Sequence, residues 1–125
     1  MALTWVQKGV TRTTARSDVS IRINKGGSKT PKRFVVQFEP DPVKKLTPKS
    51  SYLICAFDED TGRLYFKEDG PMTGFKVTWT SVGRTKLQIS FPLTADYMKE
   101  YVGDYQLLYD REEKLYYIDR KLKLN

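Results

Sequence analysis

Hydrophobic and polar residues alternate with a period of two through much of the chain, the pattern of strands with one buried face. Val19, Ile21 and Ile23 alternate with Ser20, Arg22 and Asn24, which predicts that Arg22 faces solvent. Phe34, Val36 and Phe38 face inward by the same rule and leave Gln37 and Glu39 outside. Leu53, Cys55 and Phe57 line a further strand, followed by one over residues 64–67. Phe75, Val77 and Trp79 alternate with Lys76, Thr78 and Thr80, and Leu87, Ile89 and Phe91 form the next inward row. Runs over residues 105–109 and 115–118 complete the set, and residues 3–6 have the makings of a short first strand. Between these runs stand turn signals. Gly26, Gly27 and Pro31 break the chain after the first alternating strand, because glycine frees the backbone and proline cannot continue a ladder. Asp58-Glu59-Asp60-Thr61-Gly62, Glu68-Asp69-Gly70-Pro71 and Ser81-Val82-Gly83-Arg84 are turns of the usual composition.

Two short helices interrupt the strands. Asp41-Pro42 offers an N-cap with proline at the first helical position, so residues 43–46 can make one turn before Pro48 ends it. Thr94 as N-cap and Gly103 as stop predict a two-turn helix over residues 95–102, with Met98 and Val102 on its core side and Tyr97 and Tyr101 flanking them. The tail over residues 120–125 is predicted to fray.

The parts recur in the same order after about fifty residues, the mark of a duplicated supersecondary unit. Leu87, Ile89 and Phe91 answer to Phe34, Val36 and Phe38, and Tyr105, Leu107, Tyr109 and Asp110 to Leu53, Cys55, Phe57 and Asp58. Lys114-Leu115-Tyr116-Tyr117 aligns with Arg63-Leu64-Tyr65-Phe66. The expected fold is mainly β: a single-domain barrel built from two strand-turn-strand-helix-strand-strand repeats, residues 19–68 and 75–120, behind an N-terminal arm over residues 1–18. Closing the barrel would remove sheet edges that otherwise invite aggregation.

Composition narrows the class. A chain of 125 residues suits one domain with a single core, so repeats of this size must share it. With 39% apolar, 13% aromatic and 30% charged residues it reads as globular. No apolar run approaches the roughly 20 residues of a membrane span, and the first residues lack the regions of a signal peptide, which points to an intracellular protein without a membrane partner. Cys55, the lone cysteine, can form neither an internal disulfide nor a cysteine cage for a metal.

The placement of charge changes the picture more. Lys8, Arg12, Arg16, Arg22, Lys25, Lys29, Lys32 and Arg33 stand against Asp18 alone, so the net charge of +7 sits in the first quarter of the chain. A one-sided field of this kind attracts polyanions. Catalysis finds little to work with: histidine is absent, which removes the commonest general base, and Gly26-Gly27 lacks the flanking pattern of a phosphate loop. Asp58-Glu59-Asp60-Thr61-Gly62 has the ligands of a calcium loop in the wrong order, and Glu112-Glu113-Lys114 carries the acid-x-lysine spacing of some metal-dependent nucleases without a partner acid. Both read as hairpin turns. No catalytic residue, metal or cofactor is therefore expected. Most aromatic residues fall on inward positions, but Tyr65 and Tyr116 fall outward at matching places and are candidates for stacking on bases.

The second repeat resembles the AbrB and MazE type of swapped-hairpin unit and the related half of a double-psi barrel. The resemblance is carried by the strand over residues 77–79, the turn with Gly83-Arg84, the strand over residues 87–91, the helix over 94–102, the Gly103-Asp104 step and the hairpin over 105–117. The first repeat departs from it in the longer, lysine-rich turn over residues 25–32 and in having Lys49-Ser50 where Gly-Asp would stand. The resemblance implies a pseudo-dimer within one chain and DNA binding through basic residues on the first hairpin of each unit. The sequence thus leads to a noncatalytic nucleic-acid-binding protein, double-stranded DNA favoured, monomeric or homodimeric. Its expected contacts are Arg12, Arg16, Arg22, Lys25, Lys29, Lys32, Arg33, Arg84 and Lys86. The rival is a protein-binding inhibitor or adaptor, of the kind found among phage accessory proteins, that docks on an acidic surface.

Overall fold

In a computed structural model, residues 17–25, 31–80 and 84–124 are described. The predicted strand at residues 3–6, the arm up to residue 16, and the tips of the two first hairpins lie outside them. Ten strands are present among the described residues: β1 (Val19–Asn24), β2 (Arg33–Phe38), β3 (Tyr52–Asp58), β4 (Arg63–Glu68), β5 (Phe75–Lys76), β6 (Thr78–Trp79), β7 (Leu87–Pro92), β8 (Gly103–Tyr105), β9 (Leu108–Asp110) and β10 (Leu115–Asp119). They divide between two antiparallel sheets. The first has the order β6-β7-β2-β1-β8 and the second β5-β3-β4-β10-β9.

Where a closed or nearly closed barrel of eight strands is expected, the described residues form two sheets and no closed barrel, and two breaks explain the difference. Residues 75–79 were read as one strand; instead β5 joins the second sheet and β6 the first, because between them the Val77 N–H donates to Ser51 O at 2.8 Å rather than to the β7 ladder. The run at residues 105–109 breaks in the same way. β8 pairs with β1, β9 pairs with β10, and the intervening Leu107 N–H donates to the Asp18 carboxylate at 2.9 Å. Each of these segments leaves one sheet and enters the other.

Between the sheets lies one core. Val19, Ile21, Phe34, Val36, Phe38, Ile89 and Phe91 come from the first sheet, and Leu53, Leu64, Phe66 and Ile118 from the second. Edge-to-face pairs tie the layers together: Phe34 with Phe57 at 5.6 Å and Phe38 with Phe66 at 5.3 Å between ring centroids. Helix α1 (Pro40–Leu46) covers one end through Val43 and Leu46. Its N-cap is Glu39, two residues before the expected Asp41, and Pro40 and Pro42 occupy the first turn, where a missing N–H costs nothing.

The second predicted helix is a 3₁₀ helix, Asp96–Tyr101, with Ala95 at its N-cap. The Thr94 hydroxyl lies 3.6 Å from Met98 Sδ and does not cap the helix. In 3₁₀ geometry residues three apart share a face, so Met98 and Tyr101 are buried, whereas Val102, expected on the core side, is exposed. Tyr101 accepts the Tyr105 hydroxyl on its carbonyl at 2.6 Å, but its own hydroxyl has no partner among the described residues. A buried hydroxyl without a partner carries an uncompensated desolvation cost, so Tyr101→Phe is expected to raise the unfolding free energy by about 1 kcal/mol in urea titrations. Destabilisation instead would mean that this hydroxyl is satisfied. The tail does not fray up to Leu124: Arg120–Leu122 form a 3₁₀ turn capped by the Asp119 carboxylate, and Leu124 N–H donates to Asp104 O at 2.8 Å.

The ladders have a two-fold relation. In the first sheet Val36 stands opposite Ile89, flanked by Phe34 opposite Phe91 and Phe38 opposite Leu87. In the second, Tyr65 stands opposite Tyr117, flanked by Leu64 opposite Ile118 and Phe66 opposite Tyr116. The hairpin turns match as well. Asp58 and Asp110 each accept two backbone N–H groups on Oδ1, and Gly62 and Lys114 each donate back to the aspartate carbonyl at 2.8 Å. The two-fold relation makes Tyr117 the counterpart of Tyr65 and Tyr116 the counterpart of Leu64, one residue away from the sequence alignment. Tyr116 accordingly packs on the core, and Tyr117, not Tyr116, shares the outer face with Tyr65.

Candidate functional site

The side of the first sheet turned away from the core is assembled from β1, β2, β6 and β7. On β1, Val19 and Ile21 point into the core, which leaves Ser20, Arg22 and Asn24 on the outer face. On β2 the outer residues are Arg33, Val35 and Gln37, and on β7 they are Gln88 and Ser90. Lys86 stands at the head of β7, its carbonyl accepting the Thr80 N–H at 2.9 Å. A groove of about 340 Å³ runs over this face. Arg22 and Lys86 bring charge to it, Asn24, Gln37 and Gln88 bring amides, and Thr80 and Thr85 bring hydroxyls; among the described residues no carboxylate lines it.

Several of these groups are held in place. Gln37 Nε2 donates to Gln88 Oε1 at 3.3 Å, which orients both amides on the groove floor. Gln37 was expected outside and is 8% exposed, and Val35 on the same face is 2% exposed, so the outer side of β2 is covered as well as the inner. Arg33 reaches across from β2 to β7, donating from Nε to Ser90 Oγ at 2.7 Å and from Nη2 to Ser90 O at 2.8 Å. Ser90 is opposite Val35, so the Arg33 side chain runs along that valine. Lys86 Nζ lies 3.9 Å from Glu39 Oε1, a loose contact at partly exposed positions that leaves the ammonium able to meet an anion.

Of the nine basic residues singled out in the sequence, Arg22 and Lys86 share the groove, and Arg33 lies on the same face. Lys25 and Lys32 are exposed where β1 ends and β2 begins, beside the Asn24–Arg33 pair. Arg84 is exposed at the opposite end, in the β6–β7 connection, with φ 48°. Arg12, Arg16 and Lys29 lie outside the described residues. The sequence reading missed the amides Gln37 and Gln88, whose signal was present: both fall on outward positions of strands otherwise rich in apolar residues.

The other candidate groups belong to turns and packing. Tyr65 donates to Asp110 Oδ2 at 2.9 Å, Arg63 Nη1 donates to the same oxygen at 3.0 Å, and the Arg63 guanidinium lies 4.3 Å from the centre of the Tyr117 ring. The backbone N–H of Glu113, then the Tyr65 hydroxyl, hold the Asp110 carboxyl below the usual aspartate range. These rings are engaged with one another rather than presented as a stacking platform. Burial pushes the Cys55 thiol up to about 12, so it stays protonated and inert at neutral pH. Among the described residues no group of three or more His, Cys, Asp or Glu side chains is placed to hold a metal ion, and no helix is long and apolar enough to cross a membrane. Comparison with known protein families, curated proteins and solved structures returns no match.

Proposed function

We propose that this chain is a noncatalytic protein that binds double-stranded DNA on the outer face of its first sheet. The observation that carries the reading is a groove with cations and amides on its walls and no described carboxylate among them. Arg22 and Lys86 neutralise phosphates and release counterions, the exposed Asn24 supplies the donor and acceptor pair that matches an adenine edge, and Gln88, its Oε1 engaged by Gln37, adds an amide donor. The two-fold relation supports a duplex over a single strand. Arg33 and Lys86 occupy related positions on either side of the Val36–Ile89 pair, as the two strands of a duplex do about a dyad. β7 is six residues long, so the backbone positions of Arg33 and Lys86 are separated by roughly 20 Å along the sheet. We read the two sheets and their crossing segments as a barrel-like pseudo-dimer of a duplicated unit. In each unit the first hairpin carries the contacts, in keeping with the AbrB and MazE likeness.

With Arg22 and Lys86 as two phosphate contacts the affinity for a duplex is expected to fall about 12-fold between 50 and 200 mM salt, and to exceed that for a single strand of the same length at both concentrations. Fluorescence anisotropy with labelled duplex, single-stranded DNA and RNA measures this. A protein partner retained at stoichiometry from nuclease-treated lysate, with no duplex affinity at 50 mM salt, would instead favour docking on an acidic protein surface.

A further inference from the structure

A separate concavity of about 320 Å³ opens between α1 and the ends of β4 and β10. Its floor is apolar. Leu46 and Phe66 are buried there, and Leu115 and Tyr116 are half-buried. Its rim is basic: Lys45, Lys67 and Lys114 are all exposed, and none of them makes an ion pair among the described residues. The rim carboxylate, Glu68, is turned back into the chain. Its Oε2 accepts the backbone N–H groups of Lys49 at 2.8 Å and Ser50 at 2.6 Å, which hold the carboxyl below the usual glutamate range.

The two-fold relation of the second sheet supplies a comparison within the molecule. Lys114 answers to Gly62 and Glu68 to Arg120. At that second place the protein's own Arg120 fills the cradle. Its side chain lies so close over Gly62 that a Cβ there would come within 2.9 Å of Arg120 Cγ. The guanidinium sits 5.6 Å from the Tyr101 ring centre, and Nη1 donates to Glu100 Oε2 at 3.0 Å. At the first place Glu68 points away and the cradle stays open, ringed by ammonium groups. Lys114 also holds φ 59°, a left-handed conformation that any side chain disfavours and that its counterpart meets with glycine.

We infer that this groove docks an acidic peptide segment of a partner protein. An aromatic or aliphatic side chain of the peptide packs on Leu115 and Tyr116, which lie over the buried Leu46 and Phe66, and flanking carboxylates meet Lys45, Lys67 and Lys114. Charge complementarity selects an acidic occupant, and the apolar floor selects a peptide over nucleic acid. The inference is independent of the DNA reading, which uses another face.

The test uses the full chain and three fluorescein-labelled five-residue peptides: one with phenylalanine between two pairs of acidic residues, one with serine in place of phenylalanine, and one with lysines in place of the acids. The first is expected to bind saturably and the other two at least about tenfold more weakly. Lys45→Glu/Lys67→Glu is expected to weaken the first peptide at least about tenfold with an unchanged thermal midpoint. Lys114→Gly, which cannot misfold the turn, is expected to weaken it while raising that midpoint. Arg22→Glu/Lys86→Glu, aimed at the DNA face, should leave peptide binding intact, and excess duplex DNA should not displace the peptide. Equal binding of all three peptides, insensitivity to Lys45→Glu/Lys67→Glu, or displacement by DNA or by dodecanoate would overturn the inference.

Discussion

Phe34→Ala is expected to lower the unfolding free energy by about 3–5 kcal/mol, the largest effect of any single truncation proposed for this chain. Phe34 is fully buried on β2 and is in contact with both layers: its ring is 5.2 Å from Phe91 on the neighbouring strand and 5.6 Å from Phe57 on the opposite sheet. Truncation removes apolar surface from the core and leaves a cavity where the two sheets meet, and the rigid strands on either side cannot collapse to fill it. Domains of this size are stable by only about 5–15 kcal/mol, so the variant should lose about a fifth or more of its stability. Equilibrium urea unfolding monitored by circular dichroism gives the value. A loss below about 1 kcal/mol would mean that the sheets do not pack through this ring.

The second large effect concerns binding. Arg22→Glu/Lys86→Glu is expected to weaken duplex DNA binding by about two orders of magnitude, because two phosphate contacts are lost and two repulsive charges are put in their place. The slope of log affinity against log salt should shrink by about 2 in the same variant. Arg22 is exposed, Lys86 is partly exposed and neither supports the core, so the thermal midpoint should hold. Arg33 is a poorer choice for this test. Its guanidinium is committed to Ser90, and its removal would disturb the β2–β7 contact as well as the charge. Anisotropy titrations of wild type and variant against the same duplex decide the point.

Much of this arrangement was legible in the sequence because alternation is a local property. Val19, Ile21, Phe34, Val36, Phe38, Ile89 and Phe91 were all placed inward from the period-two pattern alone, and Arg22 outward. What alternation cannot show is where a strand changes partners. Val77 continues the pattern of Phe75 and Trp79 without a break, yet its N–H bonds to Ser51 beside β3 and not toward β7, and the segment is shared between sheets. Tyr116 and Tyr117 are chemically interchangeable neighbours, so the alignment of the two halves could slip by one residue until the Asp58 and Asp110 turns fixed the register. The helix over Asp96–Tyr101 has the composition of an α-helix, and only its 3₁₀ winding puts Tyr101 rather than Val102 in the core.

The candidate site was half legible. The basic residues were visible as a cluster in sequence, but their grouping on one face depends on which strands neighbour one another. Lys86 is distant from Arg22 along the chain and shares its groove only because β7 pairs with β2 and β2 with β1. Gln37 and Gln88 could not be linked by sequence for the same reason. The groove at Lys45, Lys67 and Lys114 was not visible at all, since it arises from Glu68 and Arg120 taking opposite courses at related positions.

The location of the proposed DNA contact can be measured directly by following backbone amide chemical shifts during titration with a duplex oligonucleotide. The shifts are expected to concentrate at Arg22, Asn24, Gln37, Lys86 and Gln88 on the first sheet, with Tyr65, Lys67 and Tyr117 on the second sheet unmoved. Shifts centred on those second-sheet residues, or none at all at low salt, would contradict the assignment of this face.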